Sequence, residues 1–138
     1  MSGRPAPAAQ LTAAGLQFLR DRHLATFTSL RPDGSPHVTP VGFTWDAQRA
    51  IALVITSRTS RKARNAGLGG HVVLCQFEGR RWLALEGTSR VTADVAEVAA
   101  AVARYAERYR VPGQNPARVA IEIEVDRLLG SAEFLAVV

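Results

Sequence analysis

A cluster of basic and hydroxyl side chains lies where an apolar strand, Ile51 to Ile55, gives way to a short helix. Ser60 suits the N-cap position of that helix, because its hydroxyl can accept a bond from a free N–H of the first turn. A helix start already carries partial positive charge, so added cations favour a bound phosphate or carboxylate. The alternative is a solvated basic surface. The cations around this helix start are Arg58, Arg61, Lys62 and Arg64.

A second unusual pattern is the pair Pro40 and Gly42 inside the predicted strand 36–45, PHVTPVGFTW. Proline has no N–H for a strand ladder, so Pro40 indicates a sheet edge or a bulge. Glycine at position 42 lets another group approach the backbone closely. Two interpretations follow: a flat ligand ring bonded by main-chain groups of this strand, or a kink at the corner of a barrel.

Trp82 is the third candidate, at the start of a strand and next to Arg80 and Arg81. A tryptophan ring in this position could form a wall against which a ligand ring stacks. It could equally close one end of a barrel as an apolar plug.

Motifs that would place catalysis on side chains are missing from the sequence. His23, His37 and His71 have no metal-ligand spacing, so no metal is expected. The chain contains no Walker loop, no G-x-G-x-x-G after a strand and no G-x-S-x-G elbow. If the protein is an enzyme, a bound cofactor therefore carries the chemistry, and no catalytic side chain can be named.

The totals describe one basic globular domain. The chain has 138 residues, a net charge of +5 and a pI near 10.6, which favours an acidic partner. Nucleic acid is an unlikely partner, because no basic strand face carries interleaved aromatics. No apolar run approaches the roughly 20 residues of a membrane span. The single cysteine, Cys75, fits a reducing cytoplasm. Residues 1–10 are predicted to form a flexible tail and 11–138 the domain.

Hydrophobic periodicity predicts a mainly β fold with flanking helices. Helix 94–109 has an apolar stripe on which Arg104 and Arg108 do not lie, so both are expected to be solvated. The last strand, 119–125, should have one solvent-exposed face, formed by alternate residues such as Glu122. The order favours a closed six-stranded antiparallel barrel, and the two-sided apolar strand 51–55 suggests a homodimer. The remaining predicted elements are helix 12–22 and strands 24–30, 36–45, 71–77 and 81–93.

Three segments together resemble the split β-barrel flavin and deazaflavin oxidoreductases, the superfamily named for pyridoxamine-phosphate oxidase. They are LATFTSLRPDGSPHVTPVGFTWD, ITSRTSRKARNA and RWLALEGTSRV. The resemblance extends from about Leu16 to Leu135 and includes an S-x-K-x-x-N element that begins at Ser60. Within the superfamily, ERYRVPGQNPARV and LLGSAEFL are most similar to the branch that uses the deazaflavin coenzyme F420.

The resemblance implies a homodimer with F420 at each subunit interface and hydride transfer from C5 of the reduced deazaflavin to a conjugated acceptor such as biliverdin. FMN is the alternative cofactor, in an FMN-binding oxidoreductase or FMN-binding protein of the same fold, because a basic turn can bind either phosphate. The more anionic polyglutamyl tail favours F420. The implied cofactor-binding residues are His37, Val38, Thr39, Pro40 and Val41 along the ring, Thr56, Ser57, Arg58, Arg61 and Lys62 at the phosphate and tail, and Trp82 near the ring.

Overall fold

The computed structural model describes residues 7–136. The helices are α1 (Pro7–Gln10), α2 (Ala13–Arg20), α3 (Arg61–Ala66) and α4 (Val95–Arg108), followed by a 3-10 turn at Ala132–Phe134. The strands are β1 (Ala25–Leu30), β2 (Pro36–Val41), β3 (Thr44–Asp46), β4 (Ile51–Ser57), β5 (His71–Glu78), β6 (Arg81–Thr92) and β7 (Arg118–Gly130). Residues 1–6 of the predicted tail lie outside the described residues, whereas Pro7–Gln10 are helical. No helix in the described part is long and apolar enough to cross a bilayer.

All strands belong to one antiparallel sheet in the order β2-β1-β5-β6-β7-β4-β3. The mainly β class with flanking helices is therefore confirmed. The expected count of six strands is wrong, because Gly42 and Phe43 divide the predicted strand 36–45 into β2 and β3. These two pieces lie at opposite edges of the sheet.

The predicted closed barrel is also wrong. Among the described residues β2 pairs only with β1, and β3 pairs only with β4, so no ladder joins the two edges. The edges are nevertheless joined covalently by Gly42 and Phe43, a link that can span at most about 11 Å at ~3.8 Å per Cα step. The sheet must therefore curl until its edges come close at this point.

The main core lies inside the curled sheet. Phe27 and Leu74 face each other there across β1 and β5, and both are fully buried. At one end, Phe18 of α2 stacks on Phe134 of the 3-10 turn, with 4.4 Å between ring centroids. Inside β6, the ladder with β7 shifts register between Glu86 and Gly87, which bends the strand as a bulge does.

Helix α4 covers the outer side of β4 and β7. Its N-cap is the predicted Asp94, whose side chain accepts from the N–H of Glu97. Ala101 of α4 packs with Leu53 and Ala120 in a second apolar cluster. The prediction of a solvent-exposed face on strand 119–125 is consequently wrong at Ala120 and Glu122, which are buried. Glu124 and Asp126, on the same face, are exposed.

The buried Glu122 carboxylate is not left unpaired. One of its oxygens accepts from Arg90 Nε at 2.9 Å, and its second oxygen lies 3.9 Å from Arg49. Ion pairing of this kind is what a buried carboxylate needs to remain charged.

The expectation that Arg104 and Arg108 are solvated is wrong. Arg104 pairs with the buried Asp46 carboxylate at 3.2 Å. Arg108 is partly buried and donates to the carbonyls of Asp21 and Phe43 and to Gln76 Oε1 at 2.6–2.9 Å. Helical periodicity predicts the helix α4, but it does not reveal which backbone carbonyls elsewhere in the chain need a donor.

Replacing Arg108 with Met should lower the free energy of unfolding by about 3 kcal/mol, because several partly buried acceptors lose their donor at once. Urea unfolding measures this loss. Arg20→Met is the matched control, since Arg20 is exposed and should change the value by less than about 0.5 kcal/mol. Equal effects of the two substitutions would contradict the role given to Arg108.

Asp46 should make stability depend on pH. Burial alone would raise the pKa of its carboxyl, but hydrogen bonds from Arg49 and the charge of Arg104 outweigh burial and lower the pKa. A carboxylate whose folded pKa lies below its unfolded value of about 3.9 stabilises the fold above that pH and loses this contribution below it. The unfolding free energy of the wild type minus that of Asp46→Asn should therefore shrink as the pH falls below about 4. A difference that is constant from pH 7 to pH 3 would refute this.

Candidate functional site

The turn between β4 and α3 has the cap predicted from sequence. Ser60 Oγ accepts from the N–H of Ala63 at 3.1 Å, and the Thr56 hydroxyl donates to the same oxygen at 3.0 Å. Asn65 is buried and donates to Ser29 Oγ at 3.0 Å, which ties α3 to β1. Thus Ser60 and Asn65 of the S-x-K-x-x-N element set the position of the turn, while Lys62 lies between them on the cavity side.

A cavity of about 330 Å³ lies between this turn, the end of β2, α4 and the loop that follows α4. We call it the cleft. It brings together five residues predicted to bind the cofactor, namely Pro40, Val41, Thr56, Ser57 and Lys62. The other lining residues are Gly42, Ile55, Tyr105, Pro112, Asn115 and Arg118.

One wall of the cleft is largely apolar. It consists of Pro40, Val41 and Gly42 at the end of β2, together with Tyr105 of α4. A Cβ atom on Gly42 would lie 3.1 Å from the Tyr105 ring and 3.0 Å from the Tyr109 ring. The close approach that Gly42 permits is therefore used by tyrosines of this chain, at the point where the strand is interrupted.

The apolar wall is held in place by the end of α4. Tyr109 accepts from the N–H of Phe43 at 3.2 Å and donates to the carbonyl of His23 at 2.6 Å. Burial raises the pKa of Tyr109, so its hydroxyl keeps its proton at neutral pH. The guanidinium of Arg108 lies 4.7 Å from the Phe43 ring centroid, within cation–π range.

The remaining lining of the cleft, which we call the polar wall, consists mostly of polar side chains. The amide of Asn115 donates to Ser57 Oγ at 2.8 Å, and the N–H of Arg58 donates to the carbonyl of Ala117 at 2.9 Å. These bonds fasten the β4–α3 turn to the loop between α4 and β7. Arg118 lines the same wall and donates to the carbonyl of Gly113 at 2.7 Å.

The four cations of the β4–α3 turn do not share one environment. Lys62 is half-buried and lines the cleft, whereas Arg58, Arg61 and Arg64 are exposed. None of the four forms an ion pair with a carboxylate within residues 7–136, in contrast to the arginines at 49, 81, 90 and 104. Helix α3 has only six residues, so the positive character of this region comes from uncompensated side chains more than from a helix dipole.

The remaining predicted site residues lie outside the cleft lining. His37 and Thr39 are half-buried and face Ser29 and Phe27 across the β1–β2 ladder, towards the core. Val38 is on the outer side of the sheet and is 58% exposed. Trp82, 39% exposed, belongs to β6, which β1 and β5 separate from β2.

Sequence reasoning missed Tyr105, Pro112, Asn115 and Arg118. The segment ERYRVPGQNPARV, which holds the last three of them, contributes to the family resemblance, but nothing in its composition indicates which strand it contacts. The pairing of β4 with β7 provides the missing information, because it places Arg118 directly opposite Ser57. A prediction of that pairing would have brought the loop to the cleft.

Chemically, the lining of the cleft combines two different kinds of side chain. Ser57, Lys62 and Arg118 offer hydrogen-bond donors, which suits the oxygens of a phosphate or carboxylate. Pro40, Val41 and Tyr105 suit a flat ring. Residues 7–136 contain no group of His, Cys, Asp and Glu that could hold a metal ion.

Known proteins resemble this chain along most of its length. Residues 11–131 match the family described as pyridoxamine 5'-phosphate oxidase. The chain is 52% identical over 126 residues to the F420H(2)-dependent biliverdin reductase of Mycobacterium tuberculosis (strain CDC 1551 / Oshkosh), covering 91% of this chain and 92% of that protein.

Solved structures show the same fold at lower identity. A conserved hypothetical protein from Mycobacterium tuberculosis superposes with a TM-score of 0.74 at 19% identity, covering 92% of this chain and 89% of that one. A protein named F420 reductase superposes with a TM-score of 0.67 at 21% identity, covering 82% of this chain and 94% of that one. The family resemblance seen in the sequence is confirmed: the chain belongs to the pyridoxamine 5'-phosphate oxidase family.

Proposed function

We propose that this protein is an oxidoreductase that uses coenzyme F420 and transfers hydride from the reduced deazaflavin to a conjugated acceptor, with biliverdin as the first candidate. The observation that carries the proposal is the cleft itself, in which an apolar wall is combined with the polar wall and its hydrogen-bond donors. The relative with 52% identity, named F420H(2)-dependent biliverdin reductase, supports the choice of cofactor and acceptor.

The polar wall of the cleft would hold the phosphate of the cofactor. Ser57, Lys62 and Arg118 all line the cleft, and a phosphate diester presents only acceptor oxygens to them. Arg58 and Arg61 are exposed beside this wall and unpaired with any described carboxylate, so they suit an acidic tail that extends from the cleft into solvent.

The ring would lie along the end of β2. This strand is an edge strand in the described part of the sheet, so its outer main-chain groups are available to bond a ligand. Pro40 has no N–H to donate, so any main-chain donor must come from another residue of the strand. Pro40 and Tyr105 supply apolar contact. His37, Val38 and Thr39 precede this position on the same strand, and we keep the whole segment as the proposed ring site.

When bound, reduced F420 supplies the hydride from its C5 atom. The tasks left to the chain are binding, orientation and exclusion of water from one face of the ring, and orientation alone can account for a large part of the rate. No described side chain needs to act as a nucleophile in this scheme.

FMN remains the second candidate cofactor, because the family match is described as pyridoxamine 5'-phosphate oxidase. The charge distribution favours F420. A single phosphate monoester needs two or three donors, whereas the region offers Lys62 and Arg118 in the cleft and further unpaired arginines beside it. A polyanionic tail would make use of the additional cations.

We further propose that the protein is a homodimer formed through the outer face of the sheet, meaning the side of β2, β1, β5, β6 and β7 that points away from the core. Phe77 and Trp82 are cross-strand neighbours on this face, and exposed apolar side chains so closely grouped favour a protein interface. A second copy of the chain would bring Val38 and Trp82 into a shared interface. The large apolar side chains exposed on this face are Leu30, Val38, Phe77, Trp82 and Leu129.

The free thiol of Cys75 lies on the same outer face, opposite Thr26 and Ala84. A free cysteine fits a reducing compartment, and we propose the cytoplasm as the site of the reaction.

The experiment that tests the function titrates the purified protein separately with FMN and with F420, then supplies biliverdin or a quinone and follows reoxidation of the reduced coenzyme. We expect saturable F420 binding and acceptor-dependent reoxidation. A yellow protein that retains FMN and does not bind F420 would overturn the assignment in favour of the FMN alternative.

Lys62 and Arg61 should contribute unequally to F420 affinity. Lys62→Ala should weaken binding by about tenfold, because it removes a cleft-lining cation next to the phosphate, and the double variant with Arg61→Ala should bind more weakly still. Arg64→Ala is the matched control, since Arg64 is exposed and does not line the cleft. Calorimetric titration measures all four proteins. An unchanged affinity in the double variant would remove the proposed phosphate and tail site.

Phe77→Glu should convert the dimer into a monomer, because it places a charge beside Trp82 within the apolar outer face. Light scattering coupled to gel filtration should give twice the chain mass of 14.8 kDa for the wild type and the chain mass itself for the variant. Val95→Glu, on an exposed position of α4 away from this face, should remain dimeric. A monomeric wild type, or a dimeric Phe77→Glu, would refute the interface.

A further inference from the structure

The polar wall of the cleft contains a hydroxyl whose oxygen already accepts a hydrogen bond from a neighbouring side chain. Asn115 donates through Nδ2 to Ser57 Oγ at 2.8 Å. The orientation of this amide is fixed by its other end, because Oδ1 accepts from the N–H of Ala117 at 3.0 Å and a backbone N–H can only donate. The amide nitrogen must therefore face Ser57.

This arrangement makes the Ser57 oxygen an acceptor towards Asn115 and leaves its hydrogen unused. The hydroxyl hydrogen has no acceptor within residues 7–136, and Ser57 lines the cleft. The loop that carries Asn115 is itself held against the strand, because its carbonyl accepts from the N–H of Arg118 at 3.1 Å and Ala117 accepts from Arg58 at 2.9 Å. The orientation is therefore built into the fold before any ligand arrives.

We propose that Asn115 is a positioning residue that forces the Ser57 hydroxyl to act as a hydrogen-bond donor into the cleft, and so selects an anionic oxygen there. A serine without this constraint can either donate or accept, and it accommodates neutral donors as well as anions. With Asn115 in place, one of the two acceptor positions of Ser57 Oγ is occupied, and the hydroxyl hydrogen is left for a ligand atom that accepts. The inference rests on the proposed function, since it concerns the oxygen that the cofactor presents to Ser57.

The neighbouring cation favours the same kind of ligand. Lys62 lines the cleft and has donors and no acceptor. Together with the Ser57 hydrogen, it matches a ligand group without hydrogens of its own, such as a phosphate diester. The Thr56 hydroxyl adds no donor here, because it already donates to Ser60 Oγ at 3.0 Å.

The test uses Asn115→Asp and Asn115→Ala, each with Ser57 and with Ser57→Ala. An aspartate can still accept from Ala117, but its second oxygen accepts the Ser57 hydrogen and turns it away from the cleft. Asn115→Ala removes the constraint and leaves the hydroxyl free to donate. Gln114→Glu, an exposed neighbour in the same loop, measures the effect of the added negative charge alone.

We expect Asn115→Asp to weaken F420 binding by about tenfold more in the Ser57 protein than in the Ser57→Ala protein, the range of one hydrogen bond to a charged group. Asn115→Ala should weaken binding less than Asn115→Asp. A merely structural Asn115 would give the reverse order and equal losses in both backgrounds, and either result would overturn the proposal. Melting temperatures are recorded for every variant, and the loop contact with Ala117 should keep that of Asn115→Asp near the wild-type value.

The same measurements on the variants at positions 57 and 115 are repeated with inorganic phosphate as ligand. Failure of the wild type to bind F420 would overturn the proposed function, while the phosphate measurements would still decide whether Asn115 and Ser57 are coupled. Coupling with phosphate supports the inference in either case. Absence of coupling with both ligands would overturn it even if F420 binds.

Discussion

The two edge strands of the sheet, β2 and β3, follow each other directly in the chain. The rest of the structure depends on how the short link between them is held. Gly42 and Phe43 connect β2 at one edge with β3 at the other, so their backbone groups cannot be satisfied by a strand ladder. The end of α4 supplies the partners: Tyr109 bonds the N–H of Phe43, and Arg108 bonds its carbonyl at 2.6 Å. The curl of the sheet and the position of α4 are therefore fixed at a single point.

The cleft follows from this crossing. Because the link is fixed against α4, the end of β2 and Tyr105 form an apolar wall on one side. Because β4 pairs with β7, the loop after α4 returns to the β4–α3 turn and brings Asn115 and Arg118 to the polar wall. The cations near the cleft differ in their pairing from other arginines of the chain. Buried carboxylates such as Asp46 and Glu122 have arginine partners, whereas the cations near the cleft have none among the described carboxylates.

Local sequence patterns were sufficient to predict most helices and strands, but they do not predict which of these elements contact each other. The Ser60 cap, the helix that follows it with Lys62 in its first turn, and helix α4 follow from residue types over a few positions, and the structure has them as predicted. The seventh strand, the buried Glu122 and the bonds of Arg108 depend on which elements pack together. Asn115 and Arg118 belong to this second class, because their loop contacts the cleft only through the pairing of β4 and β7. The sequence indicated a possible ligand contact at Pro40 and Gly42. In the structure, the rings of two tyrosines pack against Gly42.

The central claim is that the polar wall of the cleft receives the phosphate of a polyanionic redox cofactor. The most direct measurement is an experimental structure of the protein with F420 bound. The account predicts a phosphate oxygen within hydrogen-bond distance of Ser57 Oγ and of Lys62 Nζ, with the ring along the end of β2. A bound cofactor whose phosphate lies elsewhere, leaving Ser57 and Lys62 without contact to it, would contradict the account.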